Sequence, residues 1–438
     1  MTRRRAAVAT SILGIAALSV AMARAGDAGT TADDRGAQAT TLASDLAERD
    51  VHISVWKKAL AADSESAIAL GQLAGLYMQR GRESGDESNY AEAEQYARRS
   101  VNLRTHRNGA AFVTLASSML AQHKFTEADS VVARLVALEP DIPQYRALRG
   151  EIKLELGDYD AARSEFDSLY RQRTHLSIAP RLARWLEISG KSEAAKKLLH
   201  ESLAEAKRQR DLPREQLAWF HLRVGDIELR NGRPRTARSF FEAGLEIQPD
   251  DYRLLAAMAR LEATAGRPRK AVEYGERAMA VKLDPATLGL IGDAYAQLGD
   301  TAQAEDYFKT MEIAVSGQPG AFHRAWSLFL LDHSRRVPEV LANVRAEVAT
   351  RRDVYGYDLL AWALHKSGMH YEAAAAMNQA MRMRTQDPML FFHAGVIESS
   401  LGNSDTARAY LKRALEINPE FNPVQAREAR SLLDSLAE

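Results

Sequence analysis

The sequence predicts an all-α solenoid, in which helix-turn-helix units stack between two helical caps. Small residues recur at the same offsets in successive segments, and the residue that would separate the two helices of a segment recurs about every 34 residues. The 438-residue chain also contains no cysteine. Since disulfides are therefore excluded, apolar stacking between neighbouring units must stabilise the fold.

The rhythm of small residues is clearest in residues 219–250, "WFHLRVGDIELRNGRPRTARSFFEAGLEIQPD". The small positions in this segment are Gly225, Gly232, Ala237 and Gly244. Phe241 lies between the last two, and Pro249 follows. Small side chains allow two antiparallel helices to approach closely, and a proline cannot continue the second helix. The segment therefore predicts one two-helix unit, with Phe241 filling the space towards the next unit.

The same offsets place the turn between the two helices in eight segments. These turn positions are His123, Gly157, Gly190, Gly232, Gly266, Gly299, Gly368 and Gly402. The interval between successive turns is nearly constant, except for two longer ones. The longest conceals a degenerate unit, with a first helix over about residues 320–331 and a second helix starting near Pro338. About ten units are expected from Ala67 to Pro419.

This spacing resembles the tetratricopeptide repeat, a helix-turn-helix unit of about 34 residues. The resemblance implies a right-handed superhelix in which the first helix of each unit lines a concave wall. It also implies that ligands lie along that wall. The function expected from it is protein or peptide binding without catalysis.

Two insertions and two caps complete the predicted organisation. The stretch "RESGDES" adds seven polar residues to the first unit, which predicts an exposed loop at residues 82–88. A lengthened helix broken before Pro213 divides repeats 1–4, residues 65–210, from repeats 5–10, residues 211–420. The flanking segments 39–64 and 421–438 are amphipathic at helical spacing, which is typical of solvating caps.

Residues 1–25 have the layout of a secretory signal peptide. Arginines at the start precede an apolar run, and the triplet Ala23-Arg24-Ala25 predicts cleavage before Gly26. Residues 26–38 would then form a flexible leader. The alternative is an uncleaved membrane anchor, because the apolar run approaches spanning length. We expect an exported bacterial protein, either periplasmic or secreted, and without cysteine it is not a lipoprotein.

Composition and motifs exclude several classes of function. The chain carries 58 basic and 58 acidic residues, and removal of the four arginines in residues 1–25 makes it slightly acidic. This balance gives no reason to expect nucleic acid or anionic lipid as a partner. No metal-ligand spacing, phosphate loop or serine elbow occurs, and His365 and His370 are on either side of a turn. We therefore predict no catalytic residue, no metal and no cofactor.

By the resemblance, thirteen side chains on the first helices are candidates for partner binding in the concave groove. They are Arg184, Arg223, Asp226, Arg230, Arg260, Asp293, Phe322, Trp326, Tyr355, Asp358, Trp362, Phe392 and His393. The change from charged to aromatic residues along the wall suits an extended peptide with an apolar end. On this hypothesis Trp326, Trp362 and Phe392 anchor the ligand, and the arginines bind its acidic groups.

Several alternatives remain open from sequence alone. Trp326 and Trp362 could be core residues packed between adjacent first helices, and the arginines and aspartates could pair with each other across units. Apolar residues replace the lysines that chaperone-binding relatives use to hold a terminal carboxylate, so that partner is not expected. The groove could instead bind a glycan or peptidoglycan strand, in a glycan-binding protein, an enzyme or an enzyme accessory. The end helices could also stack between chains in a homo-oligomer.

Overall fold

A computed structural model describes residues 41–316 and 324–436, and within these ranges the chain forms helices and contains no β-strand. The expected signal peptide, the leader and Phe322 lie outside the described residues. The helices are α1 Leu42–Ala62, α2 Ala67–Ser84, α3 Ser88–Leu103, α4 Gly109–Ala121, α5 Phe125–Leu138, α6 Pro143–Leu156, α7 Tyr159–Asp167, α8 Ala179–Ile188, α9 Ser192–Arg208, α10 Arg214–Arg230, α11 Pro234–Ile247, α12 Tyr252–Thr264, α13 Pro268–Val281, α14 Pro285–Gln297, α15 Thr301–Ser316, α16 Arg324–Asp332, α17 Val337–Thr350, α18 Val354–Lys366, α19 His370–Met381, α20 Pro388–Ser400, α21 Ser404–Ile417 and α22 Gln425–Ser435.

The helices from α2 to α21 pack as consecutive pairs, which we number in chain order from the first unit, α2/α3, to the tenth, α20/α21. All eight turn positions expected from the sequence are confirmed. Each lies inside a unit and has left-handed backbone, with φ from 58° at His123 to 84° at Gly299. Ser334, with φ 52°, occupies the same place in the degenerate eighth unit. Left-handed backbone ends the first helix, and glycine adopts it without steric cost.

The small residue in the first helix accommodates a large side chain from the second helix of the same unit. A Cβ on Gly225 would lie 2.2 Å from the ring of Phe241, and one on Gly292 would lie 2.3 Å from Phe308. Gly395 has the same relationship to Leu411, at 2.6 Å. Phe241 therefore fills the space between the two helices of its own unit, where the sequence had suggested packing towards the next unit.

The first insertion lengthens a helix and does not form the predicted loop. Helix α2 continues to Ser84 and α3 starts at Ser88, so only three residues separate them. Glu83 is buried and accepts hydrogen bonds from Arg49 at 3.0 Å and from Gln79 at 2.8 Å. Through these bonds Glu83, one of the added polar residues, has hydrogen-bond partners on α1 and α2. The second insertion matches its prediction, since α9 has 17 residues and Pro213 precedes α10.

The two end helices cover the terminal units. Helix α1 packs on α2 mainly through Ile53. Helix α22 packs on α20 and α21, with Ala426 and Ala429 fully buried. Val424, predicted for the apolar stripe of this cap, remains 55% exposed.

The first helices of most consecutive units also pack on one another, so they form the inner layer of the array. Five units later the chain returns alongside itself. The turn inside a unit then contacts the loop that follows the fifth unit after it. Four hydrogen bonds show this register: Arg352 N to Leu156 O at 3.1 Å, Val354 N to Tyr159 Oη at 2.7 Å, Thr385 Oγ1 to Ile188 O at 2.6 Å and Asn418 Nδ2 to Leu229 O at 2.9 Å. We call this line of contact the seam.

Candidate functional site

Most of the charged residues predicted for the inner wall are paired with a group of opposite charge type from a neighbouring unit. In each pair an acid of one first helix accepts from a base on, or directly after, the next first helix. The pairs are Glu155 with Arg184 at 3.3 Å, Glu187 with Arg223 at 3.2 Å and with Arg230 at 2.8 Å, Asp226 with Arg260 at 2.6 Å, and Asp293 with His333 at 3.0 Å. The wall is therefore largely neutralised by contacts between units, although in this set only Arg260 and Asp226 form the arginine–aspartate pair that the alternative interpretation expected.

The aromatic residues proposed as ligand anchors lie in the core. Trp362 is 2% exposed and Phe392 is fully buried. The indole Nε1 of Trp362 donates to Asp332 at 2.9 Å, and its ring stacks on His393 at 4.2 Å. Their burial favours the interpretation of these side chains as core residues, because a ligand on the inner wall cannot contact them.

The remaining candidates on the aromatic part of the wall also have internal partners. His393 is fully buried and its Nδ1 lies 2.8 Å from a carboxylate oxygen of Asp358. Tyr355 donates from its hydroxyl to Asp387 at 3.3 Å. Trp326 is half-buried and stacks on Phe329 with ring centroids 5.3 Å apart. The structure thus brings these residues together through pairwise contacts and not around a common groove.

A cavity of about 450 Å³ opens on the seam, where the turns of the fourth and fifth units meet the loop before α20 and the end of α21. We call it the seam cavity. Its lining consists of Gly190, Lys191, Ser192, Glu193, Ala194, Asn231, Arg233, Gln386, Arg413, Glu416 and Ile417. The cavity exists because the seam places residues near 190 and 231 beside residues near 386 and 416.

Basic side chains outnumber acidic ones around the seam cavity. Lys191, Arg233 and Arg413 are basic, against Glu193 and Glu416. A hydrogen bond from Lys196 holds the pKa of Glu193 below its usual range, so this acid is ionised and already partnered. Arg413 donates to Gln386 Oε1 at 2.7 Å, and both residues lie on the same side of the seam.

Two of the basic groups at the cavity form no short ion pair with the residues that the structure describes. Lys191 has no ion-pair partner within the described ranges, and Arg233 lies 3.6 Å from Glu228. Both side chains are exposed. An anionic ligand group could therefore replace water at these cations without breaking a short ion pair.

The inner end of the cavity reaches the buried charges of the wall. A space of about 10 Å³ shares Ser192, Asn231 and Gln386 with the seam cavity. It also touches Arg230 and Asp387, and its volume accommodates at most one water molecule. Burial raises the pKa of the Asp387 carboxyl, although the charge of Arg230 opposes this shift. Perturbed ionisable groups beside a cavity are typical of functional sites.

Of the thirteen predicted residues, Arg230 and Tyr355 border this inner space. The basic residues of the seam cavity were not predicted, because they lie at turns and helix ends away from the wall. The glycine rhythm placed Gly190 and Gly232 at turns. To predict that Gln386 and Arg413 lie beside these turns, one must also know how many units make one superhelical revolution, which the glycine spacing does not give.

The described residues include no group of three or more histidine and acidic side chains that could hold a metal ion. Among the helices of the described ranges, none is both long enough and apolar enough to cross a membrane.

Comparisons with known proteins agree with the repeated two-helix unit. A family model of the tetratricopeptide repeat matches residues 113–175, 222–286 and 256–319. A second tetratricopeptide repeat model matches residues 390–421. No curated protein matches the sequence.

Solved structures with a similar arrangement of helices include three from different organisms. The human IFIT1 dimer with PPP-AAAA has 13% identity and a TM-score of 0.45, over 88% of this chain and 92% of that one. Yeast Tom70 has 11% identity and a TM-score of 0.35, over 83% and 95%. A tetratricopeptide repeat protein from Parabacteroides merdae has 15% identity and a TM-score of 0.35, over 62% and 99%.

The family matches and the observed units agree in position. In the matched segments the structure has helical hairpins, each with a left-handed turn between its two helices. The chain belongs to the tetratricopeptide repeat family.

Proposed function

We propose that this protein is an exported, non-catalytic scaffold that binds an acidic segment of a partner protein at the seam cavity. Its repeat fold is that of protein interaction scaffolds. The observation that supports this binding mode is the contrast in charge between two surfaces. The arginines of the inner wall are paired with acids of neighbouring units, whereas Lys191 and Arg233 at the seam cavity are not held by close ion pairs.

The size and chemistry of the cavity restrict the ligand. A volume of about 450 Å³ is at the lower end of the usual range for ligand pockets, about 300–1,000 Å³. It accommodates a few residues of an extended chain and excludes a folded domain. Carboxylates on that segment would contact Lys191, Arg233 and Arg413, and Asn231 and Gln386 offer hydrogen bonds to its backbone. If residues 1–25 direct export, a partner protein of an envelope complex would have access to this surface.

Fluorescence anisotropy with a labelled hexaglutamate peptide tests the proposal. The double variant Lys191→Glu/Arg413→Glu should raise Kd at least about tenfold, or about 1.4 kcal/mol, because it places two negative charges at the cavity. Arg269→Glu/Lys270→Glu is the matched control, since it makes the same charge change at the turn of the sixth unit. That control should bind like the parent chain.

Equal loss of binding in both variants would mean that net charge governs the interaction, and unchanged binding in both would exclude the cavity. Hexalysine should not bind the parent chain. If isolated cell-wall material is retained by the parent chain and hexaglutamate is not, a glycan-binding function replaces the proposal.

A further inference from the structure

We propose that the seam opens at its N-terminal half while its C-terminal half stays closed, which gives the inner wall a lateral entrance between the first and sixth units. The N-terminal half consists of the contacts that α1 and the first unit make with the fifth and sixth units. The C-terminal half joins units three to five to the loops after units eight to ten. The inference goes beyond the proposed function and does not depend on any ligand.

The C-terminal half is closed by backbone against backbone. A Cβ on Gly157 would lie 2.3 Å from the carbonyl of Arg352, and one on Gly190 would lie 2.4 Å from the carbonyl oxygen of Arg384. The turn glycines Gly266, Gly299, Gly368 and Gly402 have the same left-handed backbone, but no atom lies within 4 Å of the added Cβ. Close backbone approach is therefore a property of the seam and not of the turn type.

Buried groups reinforce the C-terminal half. Thr385 and Asn418 are 3% and 6% exposed, and both donate across the seam to carbonyl oxygens. A single apolar core contains residues from the two sides, among them Tyr159 and Val354. Separation of this half would expose that core and leave buried carbonyls without partners, which opposes opening.

The N-terminal half is held by polar side chains, most of which are partly exposed to water. Lys282 lies 3.3 Å from Glu87, whose side chain is 53% exposed. Arg214 lies 3.5 Å from Asp45, and Gln248 donates to the same carboxylate at 3.1 Å. Exposed ion pairs contribute little to stability and are screened by salt.

Two contacts of this half involve a buried group: the hydrogen bond from Gln248, and the ion pair between Arg82 and Glu215 at 2.8 Å, in which Glu215 is buried. Opening of the seam would return both groups of the ion pair to water and strand neither charge. No apolar core spans this half in the same way. Ala74 of the first unit and Leu254 of the sixth unit belong to separate cores.

The turn glycine of this half differs from those of the C-terminal half. The atoms nearest to a Cβ on Gly85 belong to the flexible side chain of Lys282, at 2.7 Å. The two sides of the N-terminal half are thus joined by groups that can move independently of the backbone. Polar contacts at one end and a shared core at the other make the seam a hinge that opens from its N-terminal end.

Spin-label distances test this inference, and the absence of native cysteine allows clean labelling. Asp86→Cys/Leu283→Cys reports on the N-terminal half, and Asp158→Cys/Arg352→Cys reports on the C-terminal half. At about 1 M NaCl the Debye length falls to about 3 Å. We expect a longer distance to become the major population for the first pair, while the distance for the second pair is unchanged.

Charge variants at low salt separate the ionic contacts from a general effect of salt. Lys282→Glu should lengthen the first distance, and addition of Glu87→Lys should restore the short one. Lys270→Glu, in the first turn of the helix that ends just before Lys282, should have no effect. The inference is overturned if both pairs lengthen together or if neither responds. No ligand is present in these measurements, so their failure is distinguishable from failure of the proposed binding function.

Discussion

Gly157 packs directly against the backbone of Arg352, which lies in the loop after a unit five further along the chain. A Cβ on Gly157 would lie 2.3 Å from the carbonyl carbon and oxygen of Arg352. Two separate structural features favour glycine at this position. Gly157 has φ 76°, which ends α6, and it leaves room for the next revolution of the superhelix. Gly299 has φ 84° and only the first of these features, since open space surrounds its Cβ position.

The comparison of these two glycines gives a stability prediction. Both alanine variants incur the cost of left-handed backbone, about 1 kcal/mol. Gly157→Ala must also displace the backbone of the seam, which should add about 2–3 kcal/mol. Thermal unfolding followed by circular dichroism should therefore give a clearly lower midpoint for Gly157→Ala than for Gly299→Ala. Equal midpoints would show that the seam does not contribute to stability.

Trp362 is predicted to act through packing. Its side chain is 2% exposed, donates to Asp332 and is stacked between His365 and His393 at 5.1 and 4.2 Å. Trp362→Ala should destabilise the chain by about 3–5 kcal/mol. Denaturant unfolding measures this loss, with the half-buried Trp326→Ala as the milder comparison. A stable Trp362→Ala chain that no longer binds its partner would instead support the anchor hypothesis.

His393 should make part of the stability depend on pH. Burial by itself lowers the pKa of His393, but the adjacent Asp358 carboxylate outweighs it and the net shift is upward. The protonated form is therefore favoured in the folded chain. This contribution is fully present below the unfolded pKa of about 6.5 and is lost as pH rises through the folded pKa.

Unfolding free energies of the parent chain and of His393→Gln, measured from about pH 6 to pH 9, isolate this effect. The difference between the two chains should shrink as pH rises. The comparison is needed because burial lowers the pKa of both His221 and His365 to about 4. Those two groups make stability fall as pH decreases below about 6.5. A difference that does not change with pH would exclude the protonated pair.

The segment before Gly26 is predicted to direct export. Expression of the full chain in a bacterium should yield a periplasmic or secreted protein whose first residue is Gly26, because signal peptidase recognises the small residues before it. Mass spectrometry of the intact protein measures this end. Replacement of Arg3, Arg4 and Arg5 by glutamate should retain the chain in the cytoplasm. An intact Met1 in the membrane fraction would support the anchor alternative.

The units themselves could be predicted because their information is local. Gly225 and Phe241 lie within one hairpin, and their packing needs no other part of the chain. The prediction of a loop at residues 82–88 was wrong because the partners of these polar residues, Arg49 and Glu215, come from a cap and from a distant unit. The prediction of which aromatic side chains are accessible on the wall was also partly wrong. Whether Trp362 faces a ligand or a neighbouring helix depends on how tightly consecutive first helices pack.

The amino-acid order alone determined that the chain is a tetratricopeptide repeat array and where eight of its hairpins turn, since helical periodicity and backbone preference act over short stretches of chain. Only the tertiary structure decided that one revolution takes five units, that a seam forms and that Lys191 and Arg413 share a cavity. Small rotations between neighbouring units accumulate along the array, and their sum decides which distant turns meet.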